Sequence, residues 1–454
     1  MGVCGIKVAA VPRIRRIQKR LHDTSWRVIG LSGGFESGKE VVNATDQPID
    51  AFCSKNWVLY SRPQEKTRKQ GGRKMYYIYD NPNEVTPYER FMAALNGEKT
   101  DRVPVHIYPR WAALEYIGVT FKQAWDNPDL YVKAQIMAQE RFQYDCVIDY
   151  DMMGPVEEAI GAKLKYPEDD VPQIAEPFIK TKDDMKKAKW KLDPRKDGNM
   201  PKVLYVVRRL KEELIKRGKG KQRVPIMTWG SCPSRTAACL TGFKEWFMIV
   251  AEDPDWAVEL MELCFDGWLQ LVKAAWEEGA DCVWVNDPVS SRDCISREHY
   301  EKLTQPYERK FIEAIRRETG MKIIMHPCGN WHDRLDLVYQ NQADGYFLGP
   351  MDIELCTKIA LETNQAGLSR VKCINGNIGA ATKTTIDGRT PVPYATTMKE
   401  GTPEEIEAEC KKVIEVVEGA GFRLILGPNC WDTKGTPFVN RDAVVYAARK
   451  YGRY

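Results

Sequence analysis

Lys322-Ile323-Ile324-Met325-His326-Pro327-Cys328-Gly329-Asn330 reads as a short buried strand that runs into a donor-rich turn. Three apolar residues in succession, with a lysine only at the entry, suit a strand covered on both faces, as strands of parallel sheets are. Proline and glycine directly afterwards stop the strand and open a loop. The chain holds five histidines, and one of them ends this strand with a cysteine two positions on.

Working outward, similar apolar runs recur at 103–108, 146–150, 224–229, 281–285, 345–348, 371–375 and 422–427. Longer amphipathic stretches separate them, the alternation expected of βαβ units. Residues 254–276 place Trp256, Val258, Leu260, Met261 and Leu263 at helical spacing. Residues 402–419 open with the capping box Thr402-Pro403-Glu404-Glu405, with proline at the first helical position. Eight strand–helix units over this length predict an α/β fold, a (β/α)8 TIM barrel. A doubly wound open sheet is the second reading. Two stretches look like insertions: the charged 180–202, and the polar 380–400, which is either a lid over the catalytic face or a passive surface loop.

The barrel domain is expected to span 75–454. Residues 1–74 are basic and weakly periodic, and read as a poorly ordered extension or an over-long gene model whose natural start is Met75. Gly33-Gly-Phe-Glu-Ser-Gly38-Lys39-Glu40 nearly matches a phosphate-binding loop, but lacks the hydroxyl residue after the lysine that would hold magnesium. A net charge of +4 leaves no nucleic-acid footprint. No apolar run nears the roughly 18 residues of a membrane span. The thirteen cysteines are scattered, with Cys146, Cys282 and Cys373 inside apolar runs. Reduced thiols in a cytoplasmic protein fit that pattern better than a disulfide framework.

In a barrel, catalytic groups come from the carboxyl ends of the strands. Those ends read Asn286-Asp287-Pro288, His326-Pro-Cys328, Asn375-Gly376-Asn377 and Asn429-Cys430-Trp431. His326 and Cys328 project two zinc donors from one turn, and Cys430 can approach from a strand three places around the ring. Imidazole and thiolate are ligands that Zn²⁺ selects, and three of them leave a fourth position open for catalysis. The competing reading is a satisfied core histidine beside structural thiols. Asp287 is a candidate catalytic residue, as fourth donor or partner to a zinc ligand, or else a carboxylate capping its own loop. His106, ending the first strand, is a second catalytic candidate. Trp229, Trp284, Trp331 and Trp431 lie at or near strand ends, as stacking walls or as plain filler. His332 lies past the turn and reads as a surface residue. Trp229, Trp431 and Asn377 are the candidate cofactor-binding residues.

With these motifs in view, the chain resembles the uroporphyrinogen decarboxylase superfamily over about residues 85–453, in its cobalamin-dependent methyltransferase branch. The resemblance rests on Thr86-Pro-Tyr-Glu-Arg-Phe91, Asp101-Arg-Val-Pro-Val105, Gly279-Ala-Asp281, Asn286-Asp-Pro288, Gly376-Asn-Ile378, Gly401-Thr-Pro-Glu-Glu405 and the closing Pro437, Asn440 and Ala443. It implies a zinc motif of the form H-x-C with a distant C, matched by His326, Cys328 and Cys430. The gap before Cys430 exceeds that of the methanogen coenzyme M methyltransferases, and the insertion at 380–400 accounts for it. The true decarboxylases carry Arg-Gln-Ala-Gly-Arg after the first strand, whereas this chain reads Pro109-Arg110-Trp111-Ala112-Ala113. Their pyrrole-orienting aspartate has an approximate counterpart in Asp149 or Asp151. The implied activity is methyl transfer between a corrinoid protein and a thiol, methyl ether or methylated amine. The chain lacks an Asp-x-His-x-x-Gly motif, so the corrinoid is expected on a partner protein. Uroporphyrinogen decarboxylase activity and a non-catalytic tetrapyrrole-binding barrel are the alternative functions.

Overall fold

A computed structural model describes residues 85–150, 154–218 and 220–454. The 1–74 extension, its Gly33–Lys39 loop, the Met75 start and Asp151 lie outside the described residues. Seven parallel strands form one curved sheet. They are β1 (Val147–Ile148), β4 (Ile226–Ser231), β5 (Cys282–Asn286), β6 (Lys322–His326), β7 (Gly345–Phe347), β8 (Cys373–Ile378) and β9 (Arg423–Pro428), paired in that order. A separate antiparallel ribbon joins β2 (Leu164–Lys165) and β3 (Gln173–Ile174). Strands β4, β5, β8 and β9 are buried at every position, as a sheet sandwiched between barrel core and helix layer must be.

The expected first strand, 103–108, is not a strand of the ladder, and this corrects the sequence reading. It forms only a parallel bridge, Val105 to Leu426. The His106 amide donates to the Leu426 carbonyl at 2.9 Å, and the Leu426 amide to the Pro104 carbonyl at 2.9 Å. On the other side the Asp145 amide donates to the Val105 carbonyl at 2.7 Å, linking the segment to the β1 edge. The shortfall has a local cause. Pro104 has no N–H to give, and the Val105 amide is taken by the Asp145 carboxylate at 2.7 Å. Tyr108, at φ +48°, then turns the backbone out of extended geometry. The segment still closes the ring between β9 and β1, which sets aside the open doubly wound sheet.

Helices cover the outside. Pro254–Glu278 begins where the Asp253 side chain accepts from the Trp256 amide, and it ends at Gly279, whose φ of 115° few other residues adopt. It buries Leu260, Met261, Cys264 and Trp268 against the sheet side. Pro403–Gly419 starts with both halves of the Thr402–Glu405 capping box in place. Much of the charged 180–202 stretch is exposed; it holds the 3₁₀ turn Lys182–Lys187 and leads into the helix Met200–Arg217. Among the described residues no helix is long and apolar enough to cross a membrane, and every cysteine described is free.

The closing seam is tight. A Cβ on Gly427 would lie 2.1 Å from the His106 carbonyl oxygen. Gly427→Ala is therefore expected to cost about 1–3 kcal/mol of stability, read from the urea midpoint, and an unchanged midpoint would show that the seam is not packed this way.

Candidate metal centre

Parallel pairing puts the ends of β6 and β9 on the same rim. His326 is the last residue of β6 and faces Asn286 of β5 in register. Gly329, at φ 96°, bends the chain just past Cys328, and the Trp331 indole N–H fixes the turn by donating to the Cys328 carbonyl at 2.9 Å. Cys430 follows β9 by two residues. The nitrogen donor of His326 and the sulfurs of Cys328 and Cys430 all lie within 4.8 Å of one another.

The imidazole is oriented by its far nitrogen. Nδ1 sits 2.8 Å from the Phe347 carbonyl, which can only accept, so Nδ1 carries the proton. Nε2 is then a bare lone pair, and it is buried with no hydrogen-bond partner. A buried acceptor left unsatisfied costs on the order of 1–3 kcal/mol, a cost that a bound cation would remove. Hydrogen bonding between the two sulfurs holds the Cys430 thiol well below its ordinary range. The same contact, with burial, pushes Cys328 up. Two sulfurs and one bare nitrogen thus converge on a single point. A zinc-sized ion, with bonds of about 2.3 Å to sulfur and about 2.0–2.1 Å to nitrogen, keeps such ligands roughly 3.5–3.8 Å apart. The observed 4.8 Å limit accommodates that spacing.

Aromatic rings wall the centre. Trp284 lies 5.0 Å from the His326 ring and 4.3 Å, edge-on, from Trp431. Trp229 is 5.5 Å from Trp431, and the Arg110 guanidinium lies 3.8 Å over the Trp431 ring. Phe347 stacks on His326 at 4.4 Å and on Tyr108 at 4.0 Å. Trp331 faces away, against Tyr300.

Other expected site residues sit elsewhere. Asp287 is fully buried, accepting from the Ser234 and Ser290 hydroxyls and the Val289 amide, and it clusters with Cys232 and Glu308 rather than with the His–Cys–Cys set. His106 is wholly enclosed against Phe91 and Tyr108, and burial pushes its imidazole down to about 3. Asn377 is buried and spends its amide on the Met351 carbonyl at 2.6 Å. Asp149 is buried and accepts from Thr228 at 2.5 Å. His332, expected at the surface, is half-buried between Asn330 and the Thr385 carbonyl. Sequence reasoning missed the Phe347 carbonyl, for which no side-chain signal exists, and Tyr108, whose aromatic character inside an apolar run looked like ordinary core.

Residues 86–451 match the model of the uroporphyrinogen decarboxylase family. The chain belongs to that family. Among its relatives, the methylcobamide:CoM methyltransferase MtbA of Methanosarcina acetivorans is 26% identical over 382 residues, covering 81% of this chain and 99% of the relative. A uroporphyrinogen decarboxylase of Geobacter metallireducens is 26% identical over 243 residues, covering 50% of this chain and 67% of its own length. A solved methyltransferase from Methanosarcina mazei superposes with a TM-score of 0.67 at 22% identity, over 81% of this chain and 99% of that one, and bears out the barrel. Within the uroporphyrinogen decarboxylase family, the chain is an enzyme of the methyltransferase branch, because that branch matches it along nearly the relative's whole length.

In this member of the family the 380–400 loop is tied to the segment after β7 and to the turn that bears Cys328. The Thr385 hydroxyl donates to the Pro350 carbonyl at 2.6 Å, and the Asn330 side chain donates to the Asp387 carbonyl at 3.4 Å. The loop's other anchor is Glu409, which accepts from the Thr396 amide at 2.8 Å and from the Thr384 hydroxyl at 3.4 Å. Burial pushes the Glu409 carboxyl up to about 8. Between the ordinary carboxylate range and that value the folded chain holds a proton the unfolded chain has released. Stability must therefore fall as pH rises through this window. Glu409→Gln is expected to flatten a loss of a few kcal/mol between pH 5 and pH 9 in urea titrations; identical slopes in the two proteins would refute the assignment.

Proposed function

We propose that the chain transfers a methyl group between a corrinoid carried on a partner protein and a small-molecule thiol, with zinc held by His326, Cys328 and Cys430. The observation that carries this reading is the convergence of three zinc-type donors, one of them a buried imidazole nitrogen with nothing to bind. The relatives support the substrates. MtbA is named for methylcobamide and CoM, and a 23% identical protein of Methanosarcina mazei is a methylated-thiol–coenzyme M methyltransferase.

When bound, zinc supplies Lewis acidity and an open coordination position at which a substrate thiol is more acidic. The chain's own residues prepare for it. The Phe347 carbonyl fixes the His326 tautomer so that Nε2 faces the sulfurs. Contact with Cys328 holds the Cys430 thiol well below its ordinary range, which favours metal uptake there. Trp284 and Trp431 exclude water from the donors and offer flat apolar area to a corrin edge. The same donor set also suits a methyl ether or methylated amine, with the metal on the leaving heteroatom, but the named relatives favour the thiol. For decarboxylation the geometry offers little: the one arginine after the 103–108 segment lies over the Trp431 ring.

Cys328→Ala is expected to keep the fold, to lose one zinc ion per chain, and to slow methyl transfer from methylcobalamin to small thiols by more than about a hundredfold. The cobalt absorption spectrum follows the reaction, and elemental analysis counts the metal. Undiminished turnover in the variant would end the proposal.

A further inference from the structure

Cys232, Asp287 and Glu308 come from three separate elements and meet in the interior. Cys232 directly follows β4, Asp287 directly follows β5, and Glu308 lies in the first turn of the helix Gln305–Thr319. All three are essentially inaccessible, and one donor atom from each lies within 4.8 Å of the others. This group is distinct from the His326 centre.

Its hydrogen bonding is incomplete in one place. The Asp287 carboxylate accepts from Ser234, from Ser290 at 2.8 Å and from the Val289 amide at 2.9 Å. Glu308 accepts on Oε2 from the Tyr300 hydroxyl at 2.6 Å and the Asn341 amide at 2.7 Å. Its Oε1 is buried with no donor reaching it, and the Asp287 carboxylate lies within hydrogen-bonding reach of Glu308. The preceding residues, Tyr300–Thr304, are wound as a π-helix, a distortion often found at functional sites. Neutral donors thus hold both carboxylates, and one Glu308 oxygen is left facing only the other carboxylate and the sulfur for a partner.

Two buried carboxylates this close need either a shared proton or a cation between them. With a proton alone, burial, the Asp287 charge and a hydrogen bond to Asp287 push the Glu308 carboxyl far above its usual range. A shared proton makes no use of the sulfur that completes the triangle. A cation does: thiolate and carboxylate oxygen are both zinc ligands, and hydroxyl and amide groups bracing the carboxylates are what the outer shell of a metal site supplies.

We infer that Cys232, Asp287 and Glu308 form a second divalent-cation site, closed to substrate and structural in kind. Asp287 presents two oxygens, so the set can reach the four donors of a closed zinc site. Filling it releases the protons of Cys232 and Glu308. The site ties the β4 and β5 ends to the helix Gln305–Thr319. It also braces the loop after Asp287, whose Arg292 amide donates to the Asn330 carbonyl at 2.9 Å, two residues beyond Cys328.

The test is zinc stoichiometry of the full chain, loaded with zinc and freed of excess by gel filtration. The expected content is about two ions per chain in the unaltered protein, about one in Cys232→Ser, Glu308→Gln or Cys328→Ala, and none in Cys232→Ser/Cys328→Ala. Melting gives a second readout. Chelator is expected to lower the Tm of Cys328→Ala by several degrees and to leave Cys328→Ala/Glu308→Gln unmoved. If Glu308→Gln and Cys232→Ser hold as much zinc as the unaltered protein, the site is overturned and the pair shares a proton, a state the glutamine would mimic without loss of Tm. Loss confined to Cys328→Ala leaves the first centre standing and removes this one; loss confined to Glu308→Gln and Cys232→Ser does the reverse.

Discussion

Parallel pairing from β1 through to β9 sends the carboxyl end of each strand to one rim, and everything chemical in this chain depends on that. Residues more than a hundred apart, Cys328 and Cys430, become neighbours with no contact between them in sequence. The constraint holds only because the ring closes. Its weakest place is the 103–107 segment, which pairs through one bridge and a few backbone hydrogen bonds instead of a ladder. The Asp145 carboxylate compensates there. It takes the Val105 amide and is neutralised by Arg90 and Arg102 at 2.6 and 2.9 Å.

The centre at the rim is tuned by neighbours rather than by its donors alone. A backbone carbonyl sets which imidazole nitrogen is free, and two sulfurs in contact push each other's proton affinity in opposite directions. Aromatic rings packed beside the centre lower the local dielectric, which strengthens each of these effects. His106, by contrast, has the chemistry of a base but no access. Its burial fixes it neutral across the physiological range.

How much of this was legible in the sequence varies with the kind of signal. Strand β6 was readable to its ends because a lysine opens it and proline follows it. The convergence of His326, Cys328 and Cys430 was readable because one of only five histidines and two cysteines stood at or just past strand ends. The 103–108 run misled because its apolar pattern matches a strand, while the missing proline N–H and the competing Asp145 carboxylate act through the backbone. Asp287 also stood at a strand end, but the direction of its side chain is decided by Ser234 and Ser290, which no periodicity reveals. Glu308 stands in the charged helix Gln305–Thr319, whose sequence gives no sign that this carboxylate is buried. Only the packing of three elements shows that it faces inward. The Phe347 carbonyl is a main-chain atom, identical in every residue, and so invisible to any reading of side chains.

Trp431 adjoins Cys430 in the chain and is gripped between the Arg110 guanidinium and the edge of Trp284. A residue clamped in this way passes its immobility to the backbone before it. The Cys430 sulfur is therefore held in place by packing as well as by its contact with Cys328. The donor atoms on this rim are thus not left to a mobile loop, and the entropy of ordering them has been met already during folding.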